Sequence, residues 1–236
     1  MSAQVLRETV AWGCRILAMS GHVDMTLGHL SARAGADRIF IKRKGLSLGE
    51  VTPDDVILID LDGAVVEGTG EPHLETALHT EVYRARPDVG AVVHTHPPFA
   101  TALGATSADL SMLTHDSVLF FQGLGHYRDS SALITAPEQA QGVARSLADL
   151  RAVLMANHGV LTVGDDVPWA VYTALTLERA ARLQSIASQF GSLSPMSETM
   201  AEELFPEKYR SAFVEDYWAY LIRELRRREL AEGMPT

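Results

Sequence analysis

Apolar residues recur at helical spacing over residues 4–19 (QVLRETVAWGCRILAM), so the chain is expected to open on an amphipathic helix. The polar, glycine-bearing stretch GHVDMTLGHLSARAGADR then reads as a loop, long for a mere connector, leading to the short apolar run 39–41. In the segment DDVILIDLDGAVVEG, Asp62 and Gly63 sit between two β-rich runs, a hairpin signal that predicts antiparallel pairing. A helix is predicted to start after Pro72 and to end at Pro87, because proline disfavours helical geometry in the residue before it.

The run AVVHTH, 91–96, is a predicted strand, and Pro97 and Pro98 open a short helix. The apolar run at 118–121, closing in FFQG, reads as a further strand, and PEQAQGVARSLADL reads as a helix with Pro137 at its first position. RAVLMANHG and VLTVG continue the strand pattern, and a long helix is predicted over 168–190. The last forty residues, around FVEDYWAYLIRELRRREL, predict one or two amphipathic helices beginning near 197. There Tyr217, Trp218 and Tyr220 read as core, and Arg226, Arg227 and Arg228 as a solvated helix end.

No internal repeat and no Gly/Ser-rich linker occurs, so one domain over 1–236 is expected. Hairpins as well as helical crossovers predict helices around a mixed, mostly antiparallel sheet. Neither GxGxxG nor GxxxxGK[ST] is present, which argues against dinucleotide or nucleoside-triphosphate chemistry.

With 47% hydrophobic and 21% charged residues, the chain can build a packed core. Twenty basic against thirty acidic side chains, a net charge of -10, disfavour nucleic acid or an anionic membrane as the main partner and leave a small molecule or a protein. The single cysteine, Cys14, makes neither an internal disulfide nor a multi-thiolate zinc site and fits a reducing compartment. With no signal-peptide pattern and no apolar stretch fit to span a membrane, a cytoplasmic protein is expected.

Nine histidines carry most of the candidate chemistry: His22, His29, His73, His79, His94, His96, His115, His126 and His158. His94 and His96 lie two apart at the end of a predicted strand, so both imidazoles point to one face and can converge on one ion. From spacing alone the pair is equally well read as two packed imidazoles. His158, in MANHGV, also ends an apolar run, and Gly159 beside it would allow a tight backbone turn. Three imidazoles and water would make an open, catalytic type of site. Glu75 reads as a solvated first-turn glutamate that complements the helix dipole, and Glu71, Glu81, Asp54 and Asp55 read as surface or capping charges.

Taken in order, LGHLSAR, RKGLSLGEVTPDDVILIDLDGAVVEG, the Pro72–Glu75 tetrapeptide PHLE, HTEVYRARPDVGAVVHTHPPFATAL and ANHGVLTVGDD resemble the class II aldolase/adducin family over roughly residues 5–190. The resemblance implies a three-layer α/β/α fold around a mostly antiparallel sheet, assembled as a homotetramer with sites near subunit interfaces. It implies a divalent metal on His94, His96 and His158, manganese first and zinc second, and an acid/base role for Glu75. His22, His79 and His126 match no motif and read as surface or core.

Departures from the sugar-phosphate members shape the expected substrate. Where those members hold a phosphate with an asparagine, a Thr/Ser-Gly turn and paired serines, this chain carries His29, Lys44-Gly45 and His73-Leu74. Leu74 has no side-chain donor, so a phosphate cradle of that kind is gone. Arg43, Lys44, His29 and His73 would instead face an anionic group such as a carboxylate, although Arg43 and Lys44 also read as a solvated turn. Asp116 stands near the place of a proton-donating tyrosine in some family aldolases.

GHLSAR with PHLE resembles the decarboxylase branch, which removes a carboxylate ortho to a ring hydroxyl. The implied substrate is a hydroxylated aromatic dicarboxylate, first 3-hydroxy-2-methylpyridine-4,5-dicarboxylate of pyridoxine degradation, then dihydroxyphthalates. The alternatives are a metal-dependent aldolase acting on an unphosphorylated hydroxy-keto acid and a non-catalytic, adducin-like binding module.

Overall fold

A computed structural model describes residues 2–231. The chain opens on helix α1 (Ala3–Met19), capped by the Ser2 hydroxyl, and then alternates short strands with helices. The strands are β1 (His29–Arg33), β2 (Arg38–Lys42), β3 (Val56–Asp60), β4 (Val65–Glu67), β5 (Ala91–Thr95), β6 (Gly125–Tyr127), β7 (Ala152–Met155) and β8 (Gly159–Gly164). They form one sheet in the order β4-β3-β2-β1-β5-β8-β7-β6, antiparallel throughout except for the parallel pair β6 and β7. The mixed, mostly antiparallel α/β sheet expected from the sequence is the one observed.

Helices cover both faces. Alternate residues of a strand point to opposite sides, and here both sides are apolar. Leu30, Ala32, Phe40 and Val93 pack under α1 and under α6 (Val167–Ala187). Ile39, Ile41, Ile57, Val92 and Leu161 pack under α2 (Thr76–Ala85) and α5 (Pro137–Leu147). A third cluster joins α6 to α3 (Pro98–Gly104), α4 (His115–Val118) and α7 (Glu198–Lys208), and α8 (Ser211–Ala231) closes against α1 and α6.

Three sequence expectations need correction. The stretch read as a polar loop contains β1. His29, Leu30 and Ser31 are all fully buried: the polar residues 29 and 31 that made the stretch look like a loop face α2, where they hydrogen-bond His79 and Tyr83, and not solvent. The run at 118–121 is a helical turn: Val118, Leu119 and Phe120 are apolar because that turn is buried in the third cluster. Of the three C-terminal aromatics only Trp218 packs against a core cluster; Tyr217 stacks on Tyr172 with ring centroids 5.4 Å apart, and Tyr220 is exposed. No helix among the described residues is long and apolar enough to cross a membrane.

Candidate active site

The start of β1, the end of β5, the turn before β8 and the N-terminus of α2 meet at one end of the sheet. Strand register brings the first two together, because His29 on β1 lies directly opposite His94 on β5. His96 follows two residues later, just past the strand. His158 sits in the β7–β8 turn, where Asn157 takes the left-handed conformation with φ 55°. That finding corrects the turning role expected of Gly159. Its glycine character serves close approach instead, since a Cβ there would stand 2.3 Å from His96 Cδ2 and 2.7 Å from the Thr95 carbonyl oxygen.

One ligand atom from each of His94, His96 and His158 lies within 4.8 Å of the others. Nε2 of His94 and Nε2 of His96 are 3.1 Å apart. On their far sides, His94 Nδ1 meets the Val160 carbonyl oxygen at 3.0 Å and His96 Nδ1 meets Asp24 Oδ2 at 2.9 Å. Both acceptors require the proton on Nδ1, which leaves an unprotonated Nε2 on each ring. Two lone pairs facing each other at that distance repel unless a cation lies between them. The donor set therefore fits a divalent metal ion, with the rear acceptors typical of ligating histidines. Burial foremost, and then the neighbouring His94, push the His96 imidazole down to about 4, so it is neutral as a ligand must be.

Glu75 is not the solvated first-turn residue its sequence position suggests. The helix starts one residue later, and Glu75 is only 2% exposed. Its Oε1 accepts the Ile134 backbone N–H at 2.9 Å and lies 3.3 Å from His158 Nε2. Oε2 remains, 3.5 Å from His94 Nε2 and 3.9 Å from His29 Nε2. Burial alone would raise the carboxyl, but His158, His29 and His94 outweigh it and hold Glu75 well below the usual carboxylate range. It is ionised at neutral pH.

His29 and His73 form the opposite wall, with ring centroids 4.2 Å apart and each within 4.8 Å of Glu75 by one ligand atom. Burial, and then the Lys42 cation, bring His73 down to about 4; burial holds His29 well below its ordinary value. Leu74 turns outward and is 56% exposed. Lys42, the last residue of β2, is buried, and its Nζ donates to the Thr26 and Gly28 carbonyls, bracing the loop that leads into His29.

The remaining sequence candidates lie outside this cluster. Arg43 donates to Asp55 at 2.9 Å, and Lys44 pairs with Glu71 at 3.5 Å while its N–H bonds the Glu71 carbonyl. Gly45 takes φ 91° in the same turn. Asp116, on α4, is ion-paired with Arg179 of α6 at 2.9 Å. A cleft of about 670 Å³ lined by Leu6, Ala32, Arg38 and Phe40 lies on the α1 face of the sheet and holds none of these histidines.

Sequence reasoning missed Asp24, His79 and the Glu75-binding N–H of Ile134. Asp24 and His22 lie in the connector whose length was itself a signal; His22 Nδ1 meets the Thr95 hydroxyl at 2.9 Å, beside the metal-type histidines. Ile134 contributes only backbone, which no side-chain pattern announces.

A model of the Class II Aldolase and Adducin N-terminal domain matches residues 8–185. The chain is 32% identical over 172 residues to the L-fuculose phosphate aldolase of Methanocaldococcus jannaschii, covering 72% of this chain and 90% of that one. It is 30% identical over 214 residues to the 3,4-dihydroxyphthalate decarboxylase of Arthrobacter keyseri, covering 84% and 85%. The fold is similar to that of an L-fuculose 1-phosphate aldolase from Glaciozyma antarctica PI12, with a TM-score of 0.86 at 24% identity over 98% of this chain and 92% of that one.

Proposed function

The chain belongs to the class II aldolase and adducin family, and from that premise we propose that it is a metal-dependent carboxy-lyase acting on a hydroxylated aromatic dicarboxylate. In this reading 3-hydroxy-2-methylpyridine-4,5-dicarboxylate is the first substrate and dihydroxyphthalates the next. The observation that carries it is the wall facing the three histidines: two buried neutral imidazoles, His29 and His73, where sugar-phosphate chemistry would call for small hydroxyls and an amide. Such a wall suits a planar carboxylate. The dihydroxyphthalate decarboxylase among the relatives supports the same direction.

Loss of carbon dioxide from a ring leaves an electron pair that must be delocalised onto an oxygen. A divalent ion held by His94, His96 and His158, manganese first and zinc second, would supply the Lewis acidity for that oxygen. Glu75 is ionised and keeps Oε2 free of backbone partners. It takes the ring hydroxyl proton at Oε2 and returns a proton to the ring carbon after the carboxylate has left. His29 and His73 bind the carboxylate that stays. Asp24 and the Val160 carbonyl hold the ligand rings in orientation.

Four apolar side chains, Val23, Met25, Leu27 and Leu74, are exposed beside this end of the sheet, which supports an interface near the site, as in the homotetramer that the family resemblance implies. The test of function is carbon dioxide release from hydroxypyridine dicarboxylates and hydroxyphthalates by metal-stripped protein, with and without manganese or zinc. Release that requires the metal is the expected result. The resemblance to L-fuculose phosphate aldolase favours a second reading, aldol cleavage of an unphosphorylated hydroxy-keto acid. Release of pyruvate or an aldehyde without carbon dioxide would establish that reading in place of the first.

A further inference from the structure

Behind His29 runs a buried polar chain that the metal site does not use. His29 Nδ1 is 2.6 Å from His79 Nε2, His79 Nδ1 is 2.6 Å from Ser31 Oγ, and Ser31 Oγ is 2.9 Å from the Tyr83 hydroxyl. None of the four is more than 2% exposed. Each contact needs one proton, and an order in which Ser31 accepts from both Tyr83 and His79 would leave its own buried hydrogen without an acceptor, so two directions remain.

Polar satisfaction chooses between them. Among the described residues, Ser31 Oγ is the only side-chain partner of the Tyr83 hydroxyl, and burial pushes that phenol up, so it keeps its proton. If Ser31 donated to Tyr83, the phenol hydrogen would be buried with no acceptor, at a cost of about 1–3 kcal/mol. The chain is therefore ordered the other way. Tyr83 O–H donates to Ser31, Ser31 O–H to His79 Nδ1, and His79 Nε2–H to His29 Nδ1.

The last link sets what His29 shows the site. With Nδ1 accepting, the His29 proton is on Nε2, and that atom is buried and makes no hydrogen bond of its own. It points toward Glu75 Oε2, 3.9 Å away, beyond hydrogen-bond reach but favourable for a donor opposite a carboxylate. The reverse order would aim a lone pair at that anion.

We propose that Tyr83, Ser31 and His79 are positioning residues that lock His29 as a neutral Nε2–H donor, which binds an anionic oxygen of the substrate between Glu75 and His73. The direction of the chain stands on its own geometry; the substrate oxygen rests on the decarboxylase reading. The donor is permanent near neutral pH because no proton has to be gained for it to act. This differs from a lysine or arginine contact, which brings a full charge next to the metal.

The test is side-chain nitrogen NMR of the histidines in ¹⁵N-labelled protein loaded with zinc, a diamagnetic ion, with the His29 and His79 signals assigned by His29→Asn and His79→Gln. The expected spectrum shows Nε2 protonated and Nδ1 bare on both His29 and His79. A His29 signal with the proton on Nδ1, or averaged between the nitrogens, overturns the proposal whether or not the protein decarboxylates anything. Ser31→Ala removes the donor that faces His79 Nδ1 and is expected to produce that averaging in a folded protein, whereas Tyr83→Phe, which leaves the Ser31 hydrogen no acceptor but His79, should keep the wild-type order.

Kinetics with the substrate found by carbon dioxide release supply the second readout. His79→Leu should lower kcat/KM about 10- to 100-fold with metal content unchanged, the weight of a hydrogen bond to a charged group. His79→Gln, whose amide N–H replaces Nε2–H, should recover most of that loss. Equal activity in His79→Leu and the wild type would also overturn the proposal. If His79→Leu does not fold, the wild-type and Ser31→Ala spectra decide the matter. Absence of carbon dioxide release alone would sink the decarboxylase reading and leave the tautomer result standing.

Discussion

Two sets of imidazoles face each other across Glu75, and the same side chain does opposite work in each. His94 and His96 have hydrogen-bond acceptors behind them, a carbonyl and a carboxylate, so each turns a lone pair to the site. His29 has behind it a chain that ends in a donor, so it turns an N–H to the site. The rear contact decides whether an imidazole is a ligand or a donor. His22 is a third case, with Nδ1 on a hydroxyl and Nε2 without a hydrogen-bond partner, buried and structural.

The comparison breaks most severely if a ligand is removed. His94→Ala should lose the ion and cut turnover by about 10³-fold or more, since Lewis-acid stabilisation contributes several kcal/mol. Full metal content with no turnover in that variant would contradict its place as a ligand. Glu75→Gln should keep the ion and lower kcat by about 10²- to 10⁴-fold, the range of general acid–base catalysis. A KM effect with unchanged kcat would instead make Glu75 a binding group.

Asp24→Asn tests the rear contact directly. It should weaken metal affinity about 10- to 100-fold while leaving the fold intact, measured by competition with a chelator. The smallest effect concerns pH. Burial lowers His22 to about 4 from an ordinary 6.5, so between those values the unfolded chain binds the proton and the folded chain does not. Stability contributed by neutral His22 is therefore present above pH 6.5 and lost as pH falls toward 4. Denaturant titrations of His22→Asn should show a pH slope shallower by about one proton across that window.

Much of this was legible in the chain itself. The hairpin at Asp62-Gly63, the helix ended by Pro87 and the two-residue spacing of His94 and His96 follow from local rules and are present as expected. What was not legible depended on distant packing. β1 hid because His29 and Ser31 are polar residues buried for their hydrogen bonds, which imitates a loop. Glu75 looked solvated because the sequence shows neither the Ile134 N–H nor the histidines that close over it. His79 read as surface or core, and its meaning appears only when strand register sets His29 opposite His94.

The most direct test is a side-by-side titration of zinc into His158→Ala and His73→Ala, since each residue belongs to one of the two groups with ligand atoms within 4.8 Å. The account predicts that His158→Ala loses tight binding while His73→Ala binds one ion as the wild type does. Loss in His73→Ala with wild-type binding in His158→Ala would place the ion on the other wall and contradict it.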